Sequence, residues 1–124
     1  MRDVDRVWNR ACAHDGTGLG DQHLSRLLQV HGVLLHSGAA VTAGRFSPAE
    51  LLAAASSAEY FGLYSLARLL RDIPAAAISR LDEQRLDDEY RDLDPDGLMI
   101  PAAFEAHYPE ARDDFDPVTA TVSR

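Results

Sequence analysis

The sequence predicts an all-α chain: a single compact multi-helix domain of about five to six helices. Three observations predict it. Leu and Ala dominate an apolar fraction of 46%, and both lose little side-chain entropy in a helix. No long alternating apolar and polar run appears, so nothing reads as a half-buried strand. Capping signals bracket several apolar stretches at helical spacing. At 124 residues the chain fits one domain and is long enough to fold without metal or disulfide staples.

The elements follow in order. Val4, Val7, Trp8 and Ala11 share one face of a first helix over residues 3–13. His14 to Gly20 holds three glycines in five residues and reads as a flexible loop. Asp21 is the expected N-cap of a second helix reaching Leu35, with Leu24, Leu28, His31 and Leu35 inward. Gly38 and Gly44 bracket a short segment with weak signals. Ser47-Pro48-Ala49-Glu50 is a capping box with Pro at the first helical position. Leu51, Leu52, Ala55 and Ala58 should lie inward, and Gly62 should close that helix in a left-handed cap. Leu63, Leu66, Leu70 and Ile73 form another apolar face, stopped by Pro74.

A longer helix is expected from Ala76 to Leu93, with Ile78, Leu81, Leu86, Tyr90 and Leu93 as its apolar members. Asp82, Arg85 and Glu89 are spaced for a salt-bridged ladder. Asp94-Pro95-Asp96-Gly97 is a turn. A last helix over Leu98 to His107 directs Ile100 and Phe104 inward. The domain spans 1–117, and residues 118–124 form a flexible tail.

Charge carries the functional information. Net charge is −8, and all twelve basic residues are arginine. Residues 1–71 hold six acids and seven arginines, a net +1; residues 72–124 hold fourteen acids and five arginines, a net −9. Such a balance repels nucleic acid and anionic membranes and attracts basic partners. The charged start does not suit a signal peptide, and no apolar run approaches the roughly 18 residues of a membrane span. A single cysteine, Cys12, excludes an intramolecular disulfide. Cytoplasmic location is the default expectation.

Motifs for chemistry fail on inspection. Gly16-x-Gly18-x-Gly20 lacks the dinucleotide spacing and follows a helix rather than a strand. Asp92-Leu93-Asp94-Pro95-Asp96-Gly97 opens like a calcium loop, but its twelfth position is Ala103 and Glu105 falls two residues late. A calcium-responsive module using Asp92, Asp94 and Asp96 is one alternative reading. His31 belongs to an apolar face and reads as a hydrogen-bonded core residue. His31 and His36 lie about 140° apart around a helix, and no clustered Cys/His spacing occurs. A small metal-dependent enzyme using His14, His23 or His36 is the other alternative. Cys12 reads as a small buried hydrophobe. No catalytic residue, metal or cofactor is assigned, and the chain is not expected to be an enzyme.

Several short segments together resemble the DNA-mimic protein family of small acidic all-helical bacterial proteins, in its C-terminal domain. They are Gly20-Asp21, His31-Gly32-Val33-Leu34-Leu35 leading to Gly38, and Tyr60-Phe61-Gly62-Leu63 with Leu69-Leu70 behind it. Leu81-Asp82-Glu83 through Asp88-Glu89-Tyr90 to Leu93, then Phe104-Glu105 and Asp114-Phe115, complete the likeness over residues 20–116. The family is richer in asparagine and glycine where this chain has His36-Ser37-Gly38. The resemblance implies an all-helical fold, often dimeric, whose acidic surface imitates DNA and occupies a DNA-binding protein. With the charge distribution, it yields the leading expectation of an acidic protein-binding module directed at a basic surface such as that of a transcriptional regulator. Asp82, Glu83, Asp87, Asp88, Asp92 and Asp96 are the expected contacts.

Overall fold

The computed structural model describes residues 2–118, and among these every regular element is helical. Six α-helices run in order: α1 Asp3–Cys12, α2 Leu19–Arg45, α3 Pro48–Tyr60, α4 Tyr64–Asp72, α5 Arg80–Leu93 and α6 Met99–His107. Short 3-10 turns occupy Ile73–Ala77, Tyr108–Glu110 and Arg112–Asp114. Of the expected tail, residues 119–124 lie outside the described residues, and Val118 is partly buried against the core.

The long helix α2 is the spine. It contacts α1, α3, α5 and the 73–77 turn, and its buried row is Leu24, Leu27, Val30 and Leu34. That row is rotated from the expected one. Leu28 and His31 are only partly buried, and Leu35 is 53% exposed. The difference follows from the crowd around the spine: partners pack on several sides, so no single i, i+4 stripe records the buried set.

Gly38 divides α2 into two arms. Its φ of +86° and ψ of 175° lie where glycine alone sits without strain. The expected weak segment between Gly38 and Gly44 is therefore a helical arm, residues 39–45. Its first free N–H, on Ala39, donates to Asp87 Oδ1 of α5 at 2.8 Å, and Thr42 Oγ1 donates to the Gly38 carbonyl at 2.8 Å. A carboxylate from another helix thus caps this arm.

The capping box of α3 is present as read: Glu50 N–H donates to Ser47 Oγ, and Ser47 N–H to Glu50 Oε1. Gly62 closes α3 with φ +79°. Leu51, Ala54, Ala55 and Ala58 are buried, whereas Leu52 is 53% exposed. Small alanines let α3 lie close to α2 and α4. Pro74 does not end the apolar face abruptly; it sits inside the 3-10 turn that carries Ile73 and Ala76 into the core.

Helix α5 starts at Arg80 rather than Ala76, because Ser79 Oγ accepts the Asp82 N–H and fixes its N-terminus. Ile78 and Leu81, counted among its apolar members, are 89% and 81% exposed. Leu86 and Tyr90 carry the burial, with Leu93 partly buried. Helix α6 places Ile100 and Phe104 in the core, where Phe104 meets Trp8, Phe61, Tyr108 and Phe115.

The glycine-rich segment is a packed joint, not a flexible loop. Asp21 does not cap α2; Gly18 occupies that position, and Asp21 is fully buried in the first turn. Its Oδ1 accepts from Arg10 Nε at 3.0 Å and Nη2 at 2.7 Å. Its Oδ2 accepts from the Asp116 N–H at 2.6 Å. A side chain at Gly18 would meet the Asp114 carbonyl at 2.6 Å, and one at Gly20 the Phe115 ring at 2.5 Å. The glycines are required by close approach. Cys12, expected inside, is exposed at the end of α1; Ala11 takes the buried place.

If Asp87 is a cap, Asp87→Ala should lower stability by about 1 kcal/mol, as loss of an N-cap does, while Asp88→Ala leaves it nearly unchanged. Urea denaturation of the two variants reads the difference, and equal midpoints would contradict the assignment.

Candidate functional site

The acidic residues singled out in the sequence all fall on α5 and the turn after it, but not on one face. Leu86 and Tyr90 point into the core, and the carboxylates divide to either side of the exposed ridge. On one side Glu83, Asp87 and Asp88 line a shallow groove of about 560 Å³ with Arg80 and Arg91. On the other, Asp92 lines a groove between α4 and α5 of about 280 Å³, together with Asp72, Glu89 and Arg68. Asp96 sits beyond the helix, where its Oδ1 accepts the Leu98 N–H at 3.1 Å.

Their electrostatic states differ. The expected ladder is present: Arg85 bridges Asp82 at 3.2 Å and Glu89 at 2.8 Å, with Asp72 at 4.0 Å. Arg91 pairs with Asp88 at 3.0 Å. These pairs are exposed, so each holds little energy and exchanges readily for another cation. Asp87 is partly committed to capping α2. Glu83 and Asp92 have no hydrogen-bond or ion-pair partner among the described residues.

The calcium-like loop is closed by its own backbone. Asp94 Oδ1 accepts the Met99 N–H at 3.1 Å, and Gly97 supplies the left-handed turn with φ +76°. Asp94 Oδ2 is buried without a hydrogen-bond partner among the described residues. Among the described residues no group of three or more His, Cys, Asp or Glu side chains is arranged to hold a metal ion.

The histidines form no single cluster, although His23 and His107 both pack on Tyr60. His31 is the hydrogen-bonded, part-buried residue expected, its Nδ1 facing the Tyr90 hydroxyl. His36 is exposed. His23 Nδ1 is 2.9 Å from Ser57 Oγ, and its ring stacks on Tyr60 at 4.4 Å between centroids. Tyr60 donates its O–H to Asp114 Oδ2 at 2.5 Å, and burial followed by that carboxylate pushes its phenol pKa up. His107 packs edge-on against Tyr60 and Phe61, with a buried Nε2 that has no hydrogen-bond partner among the described residues. His14 stands apart, its Nδ1 2.6 Å from Ser25 Oγ on the wall of a separate cleft. Sequence reasoning did not find that cleft, because its residues come from a loop, one face of α2 and the start of α3.

The chain defines a class by its fold and charge: an all-helical domain with an acidic ridge flanked by two carboxylate-lined grooves. No family model, no curated protein and no solved structure matches it. Among the described residues no helix is long and apolar enough to cross a membrane.

Burial holds both His23 and His31 below the ordinary histidine value of 6.5. Each is kept neutral in the fold yet protonates freely when unfolded. Their contribution is whole above pH 6.5 and is lost as the pH falls below it, since the unfolded chain then binds protons that the folded chain refuses. Stability should therefore fall between about pH 7.5 and 5.5, and the double variant His23→Gln/His31→Gln should flatten that slope. Urea midpoints that hold level or rise on acidification would contradict this.

Proposed function

We propose that the chain is an acidic binding module whose α5 ridge engages the basic surface of another protein, as a DNA mimic occupies a DNA-binding regulator. The observation that carries this reading is the pair of carboxylate rows flanking α5. Glu83, Asp87 and Asp88 lie on one side, and Asp72, Glu89 and Asp92 on the other. Two rows of negative charge separated by a solid ridge resemble the two phosphate strands that arginine and lysine side chains of a DNA-binding protein straddle. The interleaved Arg80, Arg85 and Arg91 reduce the local field. The partner's cations can displace them at small cost, because exposed ion pairs are weak. The net −9 of residues 72–124 supplies long-range attraction and fast, salt-sensitive association.

The exposed Leu81 stands in the first turn of the same helix, and the exposed Ile78 just before it. An apolar contact beside the charged rows would add affinity that salt does not screen.

The test is competition. Purified helix-turn-helix regulators holding fluorescein-labelled operator DNA are titrated with the chain. DNA should be released at low salt, with potency falling more than about tenfold between roughly 50 and 200 mM salt. The triple variant Glu83→Lys/Asp88→Lys/Asp92→Lys should lose release while keeping its helical spectrum. Failure to release DNA from any regulator at low salt, or an unaffected triple variant, would overturn the proposal.

A further inference from the structure

Away from the acidic ridge, a cleft of about 310 Å³ opens between the 14–18 loop, α2 and the start of α3. Its walls carry His14, Ser25, Arg26, Gln29, Phe46 and Glu50. We propose that this cleft binds a small molecule bearing an oxyanion group, with Arg26 as the counter-ion. The inference is independent of the acidic ridge and goes beyond the binding role assigned to it.

Arg26 is the first ground. It is half-buried in a protein with twenty acids, yet among the described residues no carboxylate pairs with it. Its Nη1 donates to the neutral Ser57 Oγ at 3.3 Å, which anchors one edge of the guanidinium. A half-buried cation without an anion is costly to keep, and a guanidinium fork matches carboxylate and phosphate oxygens in a planar, bidentate way.

The neighbouring donors are the second ground. His14 is the described non-glycine residue with positive φ, at +60°. That uncommon conformation sets its imidazole Nδ1 2.6 Å from Ser25 Oγ. When Nδ1 carries the proton and donates it to Ser25, the serine O–H is free to donate onward. Gln29 Nε2 lies 3.4 Å from both ring nitrogens and adds a neutral donor group at the same wall. Neutral donors around one fixed cation suit a singly or doubly charged oxyanion.

The remaining walls limit the ligand. Glu50 is the carboxylate among the lining residues, and its Oε1 is held by the Ser47 N–H at 2.8 Å as part of the α3 cap. It lies beyond ion-pair distance of Arg26 and repels a second anionic group, so a polyanion such as nucleic acid is disfavoured. Phe46 offers an apolar face for the body of the ligand. The volume suits a metabolite rather than a polymer.

Amide NMR spectra of the full chain are recorded with inorganic phosphate, with acetate and with chloride at matched ionic strength. Saturable shifts are expected at Ser25, Arg26 and Gln29 with phosphate, with acetate or with both, and none with chloride. A response to phosphate alone identifies a phosphorylated ligand; a response to acetate alone identifies a carboxylated one. Arg26→Gln should weaken binding more than about tenfold, while Arg68→Gln on α4 leaves it unchanged. If Arg26→Gln does not fold, Ser25→Ala/Gln29→Ala replaces it, with a loss of at least about fivefold expected. Absence of saturation by either anion up to about 50 mM, or variants that bind like the parent chain, would overturn the proposal.

Discussion

The buried pair of Arg10 and Asp21 is the joint from which the other arrangements follow. Asp21 is fully enclosed and its partner partly buried, at 0% and 20% side-chain exposure. Removing two charges from water is expensive, and their attraction repays it only when the remaining hydrogen-bonding capacity is filled. Here it is filled from both ends of the chain. Arg10 also donates to the Asp116 carbonyl at 3.0 Å, and the Asp116 carboxylate accepts from the Thr17 N–H at 2.7 Å and from its hydroxyl. Hydrogen bonds from Thr17 hold the Asp116 carboxyl below the usual carboxylate range. The first helix, the loop, the start of α2 and the C-terminal segment are thereby tied at one point. Asp114 then reaches Tyr60, and Phe115 reaches the aromatic core.

This joint explains how charge is distributed in use, not only in sequence. Asp21 is consumed inside the fold, and Asp3, Asp5 and Glu59 pair with Arg112, Arg2 and Arg71. The C-terminal half has too few arginines for its carboxylates, so α5 displays acids on both flanks. The N-terminal half leaves Arg26 without a paired carboxylate among the described residues. One chain therefore carries a negative ridge and, elsewhere, a small cleft with a lone cation. Different ligands suit the two places because their local charges are opposite.

Much of the helical order was legible in the sequence, and the reasons for the misses are physical. Ser47, Pro48, Glu50 and Gly62 mark α3 because caps are local hydrogen-bonding events written in adjacent residues. The ladder of Asp82, Arg85 and Glu89 was equally readable. Gly38 was visible as a breaker, but the helical arm beyond it depends on Asp87, nearly fifty positions away. Ile78 and Leu81 have apolar side chains at plausible spacing, yet Ser79 starts α5 late and leaves them outside. Gly16, Gly18 and Gly20 look like freedom in sequence and act as space for Asp21, Asp114 and Phe115. The concentration of acids along α5 was readable from charge; the division of Glu83, Asp87 and Asp88 from Asp92 between two grooves was not, because it depends on which side of α5 packs inward. The cleft around Arg26 joins distant segments through packing, and no short motif announces it.

The dependence on Arg10 and Asp21 is open to a direct measurement by native-state hydrogen exchange. The Asp116 N–H, which donates to Asp21 Oδ2, should be protected to the level of the α2 core amides. In Asp21→Asn, protection of Asp116 and Phe115 should fall together, with that of the first turn of α2. An Asp116 amide that exchanges freely in the parent chain while α2 stays protected would contradict the account.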